Sequence, residues 1–176
     1  LEYTWLRSLM GRHKDFWQIT KDSLDKSMKL FKIKPSMRDE LLNLYKVLSP
    51  FKEVHETLKI LKKKKFKLAI LSNGTPFLLN ELVKSNNLEN LFDDIFSIEE
   101  VGFYKPSSKV YDMPVKKYKI KKNEIAFLSA NTWDVSGGGN YGYQAIWVNR
   151  NNNIFDNLDF KPRFEIKDLS RLLSEL

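Results

Sequence analysis

The stretch Phe66-Lys-Leu-Ala-Ile-Leu-Ser-Asn-Gly74 decides the fold class. Phe66 to Leu71 are expected to form a short buried strand that stops abruptly on a hydroxyl, an amide and a glycine. Residues 52–64 before it and 75–86 after it carry apolar side chains at helical spacing, so helix, strand and helix follow in order. The order repeats downstream. Strands are predicted at Ile95–Ile98, Ile125–Leu128 and Gln144–Val148, with a helix over 107–119 and a short one after Asp134. A last helix is predicted over Ile166–Leu176. Such alternation makes an α/β protein, with a Rossmann-like parallel sheet and helices on both of its faces.

Upstream of this core the pattern is helical only. Leu1, Trp5, Leu6 and Leu9, then Phe16, Trp17, Ile19, Leu24, Met28 and Phe31, recur at helical spacing. A third helix is expected from Ser36 to Leu48, with Ser36 as its cap and Asp39 and Glu40 in its first turn. Ser49-Pro50 breaks the pattern. The expected division is a helical subdomain over 1–49 and a Rossmann-like core over 50–176. The sequence opens inside an amphipathic helical pattern and not on Met, as expected of a piece cut from something longer.

Composition removes several function classes. With no Cys there is no disulfide framework and no thiol nucleophile, which suits a reducing cytosol. Two histidines, His13 and His55, exclude a multi-histidine metal site. No apolar run reaches the length of a membrane span, and the first residues lack a signal-peptide pattern. The net charge of +8 comes from lysines scattered along the helices. The dense run Lys62–Lys65 has no interleaved aromatics, so neither nucleic acid nor membrane is expected as a partner.

In open parallel sheets the site lies at the carboxyl ends of the strands. Three such ends carry polar residues. Ser72-Asn73-Gly74 precedes a helix and offers a hydroxyl, an amide and free backbone N–H groups to an anion, or else forms a plain capped turn. Tyr104-Lys105-Pro106 puts a lysine at the head of a helix, where positive charge is disfavoured, with Tyr111 able to reach the same mouth. Ser129-Ala-Asn131-Thr-Trp133-Asp134 places two small polar groups and a carboxylate within one turn, although Asp134 could simply be a helix cap.

In this order the three strand ends resemble the second, third and fourth motifs of the haloacid dehalogenase superfamily. The likeness extends to its L-2-haloacid dehalogenases, through Leu1–Met10, Leu68–Gly74, Val110-Tyr111 and Trp147–Arg150. It covers essentially the whole chain and implies that 1–49 is a cap subdomain. It implies a hydrolase in which an Asp carboxylate displaces halide from a small 2-halocarboxylate with inversion, forming an ester that water then cleaves. By motif position, Lys105 holds that Asp ionised, while Ser72 and Asn73 bind the substrate carboxylate. Ser129, Asn131 and Asp134 orient the nucleophile, the lysine and the water, and Tyr111 supports them. Leu1, Phe16 and Trp133 line the alkyl pocket. The resemblance further implies a homodimer in the cytoplasm, with no cofactor and no metal.

Two features depart from the family. Its Asp-x-Tyr-Gly-Thr nucleophile motif does not occur in this sequence, nor does the arginine expected to assist halide departure; both are expected upstream of Leu1. The first core strand is therefore expected to be missing, leaving the chain alone inactive and poorly soluble through its unpaired strand edges. Two other readings stand beside the dehalogenase: a Mg²⁺-dependent phosphatase of the superfamily and a degenerate, non-catalytic anion binder. Ala130 argues against the phosphatase, because an acidic metal ligand belongs at that position. Pro114 inside an expected helix and Gly137-Gly-Gly139 at the start of another give the degenerate reading some weight.

Overall fold

The computed structural model describes residues 1–175. Their contacts divide the chain into two compact units, each discontinuous in sequence. The first joins Leu1–Pro50 to Ala69–Tyr104; the second joins Phe51–Leu68 to the described residues from Lys105 on.

The first unit begins with helices α1 (Glu2–Leu9), α2 (Phe16–Leu30) and α3 (Arg38–Leu44). Asp15 caps α2 by accepting from the Gln18 N–H at 2.9 Å, which explains why the chain turns into a helix there. The expected third helix is shorter than its pattern suggested. A 3-10 turn over Pro35–Met37 contains Ser36, Met37 occupies the cap position without a side-chain bond, and the helix ends at Leu44. The fixed φ of Pro35 starts the tighter turn, so Ser36 is not the cap. Asp39 and Glu40 do sit in the first turn. The unit also holds strand β1 (Ala69–Ser72), helix α5 (Pro76–Ser85) and strand β2 (Asp94–Ser97), with β1 and β2 paired in parallel. Ile98 lies beyond β2 and opens a 3-10 turn.

The second unit contains α4 (Val54–Lys63), α6 (Ser108–Tyr118), β3 (Ala126–Ser129), α7 (Thr132–Tyr141), β4 (Gln144–Val148), β5 (Phe164–Ile166) and the short α8 (Leu172–Glu175). Its strands form a parallel sheet in the order β3-β4-β5. β4 is central and apolar on both faces, with Ala145 to Val148 all buried, as a strand covered on two sides requires. β1 and β3 each have a single strand neighbour among the described residues.

Two local expectations change here and one holds. The C-terminal region is not one helix: β5, a 3-10 turn over Leu169–Arg171 and α8 share it, and the predicted last residue, Leu176, lies outside the described residues. Its three-residue strand is too short to show the alternation by which strands are read. Pro114 lies within α6, whose packing of Val110, Tyr111, Met113 and Pro114 into the interior offsets the lost backbone bond. Gly137–Gly139 lie inside α7 and do not delay it. Close packing explains them: a Cβ on Gly138 would come within 2.6 Å of the Phe127 ring, and one on Gly139 would overlap the Phe160 ring. The glycines are the seat on which aromatic rings rest.

Candidate active site

In the second unit, β3 ends on Ser129 and α7 starts three residues later, with Asn131 in the cap position. Asp134 therefore sits in the first turn of α7 and is not its cap. That frees its carboxylate to turn inward, where it is 4% exposed. Lys105 is 6% exposed, and its Nζ donates to Asp134 Oδ2 at 3.1 Å. The Tyr111 hydroxyl, fully buried, donates to Asp134 Oδ1 at 2.8 Å. Each carboxylate oxygen thus has its own donor.

This is a buried ion pair with a phenol locked to it. Lys105 lies three residues before α6 and two before its Ser107 cap, so the lysine is aimed from a loop and not from the head of the helix as expected. Burial pushes its amine below the ordinary lysine value, and the Asp134 carboxylate pulls it part of the way back. Burial, with the negative field of Asp134, pushes the Tyr111 phenol well above its ordinary value, so it stays a donor. The Lys105 ammonium also stands 5.1 Å from the centre of the Phe127 ring, and Tyr143 donates its hydroxyl to the Tyr111 carbonyl. Such a cluster holds a cation where water is scarce and fixes it to a rigid support.

The other strand-end residues of this unit lie around the turn. Ser129 Oγ accepts from the Asn131 N–H at 3.2 Å, closing the strand end. Asn131 is exposed. Trp133 lines a cleft of about 780 Å³ with Pro106, Ser136, Tyr141 and Leu158, and a second cleft of about 600 Å³ with Asn131 and Ile154.

The remaining predicted site residues belong to the first unit. Ser72 ends β1, and its Oγ accepts from the Gly74 N–H at 3.0 Å. Thr75 caps α5 by accepting from Leu78 N–H at 3.4 Å, so Ser72 and Asn73 stand just ahead of a helix N-terminus. Leu1 is more than half exposed at the start of α1. Phe16 opens α2, and its backbone N–H donates to Glu99 Oε1 at 3.0 Å. The structure thus gathers Lys105, Tyr111 and Asp134 into one bonded cluster within the second unit.

Sequence reasoning missed a second cluster in the first unit. Glu99 and His13 meet at 2.8 Å across 86 positions of sequence. Tyr104 donates its hydroxyl to the Lys14 carbonyl at 2.7 Å, and its N–H to Ser8 Oγ at 3.1 Å. Nothing local in the sequence marks these pairs.

Parallel strands, polar strand ends and a buried lysine–aspartate pair define an α/β protein with a lysine-centred candidate site. Residues 6–148 match the family described as haloacid dehalogenase-like hydrolase, and the chain belongs to that family. It is 37% identical over 171 residues to an (S)-2-haloacid dehalogenase of Pseudomonas sp. (strain YL), covering 96% of this chain and 74% of that protein. It is 36% identical over 176 residues to one from Pseudomonas putida, covering 98% and 77%. Among solved structures, the L-2-haloacid dehalogenase from Xanthobacter autotrophicus with chloropropionic acid covalently bound superposes with a TM-score of 0.90 at 28% identity, covering 97% of this chain and 79% of that one. A HAD phosphatase from Thermococcus onnurineus superposes with a TM-score of 0.65 at 25% identity, covering 84% and 67%. Among the described residues no helix is long and apolar enough to cross a membrane.

Proposed function

We propose that the protein hydrolyses short L-2-haloalkanoic acids to D-2-hydroxy acids through an Asp-ester intermediate. The carrying observation is the buried Lys105–Asp134–Tyr111 cluster, in a chain more than a third identical to several (S)-2-haloacid dehalogenases. The attacking Asp is assigned to sequence upstream of Leu1. Among the described residues β1 and β3 each pair with a single strand, which is compatible with a further strand beside either one.

In this reading the carboxylate oxygen of the Asp bonds to the halogen-bearing carbon from the face opposite the halogen, and halide leaves with the bonding pair. Water then adds to the ester carbonyl, freeing the hydroxy acid and restoring the Asp. Lys105 keeps the attacking carboxylate ionised, since a cation close by favours the charged form. Asp134 and Tyr111 orient the lysine, and Ser129 and Asn131 act with Asp134 on the water. Ser72 and Asn73 hold the substrate carboxylate ahead of α5, and Leu1, Phe16 and Trp133 pack its alkyl group. The proposal extends to a cap over 1–49 on a core over 50–176, and to a cytoplasmic homodimer. The dimer is supported by the exposed apolar side chains Leu30, Phe31, Leu44 and Val47.

The test is halide release from L-2-chloropropionate by the full-length protein. Chloride equal to the D-lactate formed supports the reading. Phosphate release from phosphomonoesters, with no halide release, overturns it in favour of a phosphatase.

A further inference from the structure

Phe16 has one feature that its apolar side chain does not explain: its backbone is held by a carboxylate from a distant part of the same unit. Glu99 lies in the 3-10 turn that follows β2. Its Oε1 accepts the Phe16 N–H at 3.0 Å and its Oε2 takes His13 Nε2 at 2.8 Å. The two contacts span the turn between α1 and α2, from its middle to the first residue of α2. Ser97 fixes the backbone of that turn: its Oγ accepts from the Glu99 N–H at 3.3 Å and donates to the Gly74 carbonyl at 2.7 Å. The His13 ring lies 5.4 Å from that of Tyr104, which is itself tied to Lys14 and Ser8.

The Phe16 N–H is one of the four N–H groups at the start of α2 that helical bonding cannot satisfy. Asp15 already caps this helix through Gln18. Glu99 therefore adds a second, long-range cap, directed at the one residue of α2 assigned to the alkyl pocket. A carboxylate at a helix N-terminus is also favoured by the helix dipole.

We propose that Glu99 is a positioning residue for substrate selectivity. By fixing the Phe16 backbone and the His13 turn together, it sets where the Phe16 ring stands, and so how well the enzyme distinguishes a 2-alkyl substituent from hydrogen. This rests on the assignment of Phe16 to the alkyl pocket, so the test separates the two ideas.

The experiment compares full-length wild type with Glu99→Ala, Glu99→Gln, His13→Ala and Phe16→Ala. For each, kcat/KM is measured with L-2-chloropropionate and with monochloroacetate, which differ by one methyl group. A well-formed apolar pocket distinguishes one such carbon by about tenfold or more. Glu99→Ala is expected to reduce the chloropropionate preference by about fivefold to tenfold, mainly through KM. Glu99→Gln, which keeps an acceptor for the Phe16 N–H, should retain most of the preference, and His13→Ala should lose part of it. An equal loss on both substrates in Glu99→Ala marks a merely structural residue and overturns the proposal. Should Glu99→Ala not fold, an unchanged preference in His13→Ala overturns it equally. If Phe16→Ala leaves the preference unchanged, the pocket assignment itself fails, and the proposal with it. A preference changed in Phe16→Ala but not in Glu99→Ala defeats only the proposal.

Discussion

Replacing Lys105 by Met removes the ammonium but keeps most of the apolar stem. Asp134 is then left 4% exposed, with the Tyr111 hydroxyl as its remaining hydrogen-bond donor. Removing one partner of a buried pair costs about 3–5 kcal/mol, because the other charge stays buried without compensation. The contact of Lys105 with the Phe127 ring adds to the loss. Lys105→Met in the full-length protein should therefore lower the unfolding free energy by about 3–5 kcal/mol, read as a reduced midpoint in urea at unchanged slope. Substituting Asp134→Asn in the same molecule removes the stranded charge and should restore about 1–3 kcal/mol of that loss, a non-additivity typical of residues in direct contact. A single-variant loss below about 1 kcal/mol, or strict additivity in the double variant, would show that the cluster is solvated and the reasoning mistaken.

Other expectations follow from the same contacts. Tyr111→Phe removes a buried donor to Asp134 and should cost about 1–3 kcal/mol of stability; on the proposed mechanism it lowers kcat more than it raises KM, which steady-state kinetics will show. Gly139→Ala forces a methyl into the Phe160 ring and should lower the thermal midpoint by several degrees, at about 1–3 kcal/mol of overpacking cost. Glu53 is partly buried, and this desolvation raises its pKa, but hydrogen bonds from its own backbone, Arg150 and Leu169 outweigh it and hold the carboxyl below its ordinary 4.5. Its stabilising effect is therefore full above pH 4.5 and is lost as pH falls through the lowered folded value. Glu53→Gln should flatten the acid limb of the stability curve, and an unchanged limb would count against the pairing. Lys105 acts in the same direction but at alkaline pH, through a cost that is relieved. Its folded pKa is depressed, so the cost of burying its charge is full at neutral pH and eases as pH rises toward 10.5. The alkaline limb should lose that upward slope in Lys105→Met.

The parts of this fold that the sequence disclosed are those where periodicity is long or confined. β4 could be read to the residue because Gln144–Val148 is a bounded apolar run. The last strand escaped because Phe164–Ile166 is too short to show a period and precedes a helix-like tail. Gly137–Gly139 and Pro114 looked like breaks because propensity is local, whereas the rings of Phe127 and Phe160 that make those glycines necessary lie elsewhere in the chain. The site divides in the same way. Lys105, Tyr111 and Asp134 were legible because family motifs and a rule-breaking lysine marked them. The Glu99–His13 pair was not, since a contact across 86 residues leaves no local pattern.

The most direct measurement is a single turnover of L-2-chloropropionate in ¹⁸O-water with the full-length enzyme in excess. An Asp-ester route gives D-lactate whose new hydroxyl carries unlabelled oxygen from the enzyme carboxylate, with ¹⁸O retained in one Asp of the protein. Lactate labelled with ¹⁸O in that first turnover would mean that water attacks carbon directly, and would contradict the account.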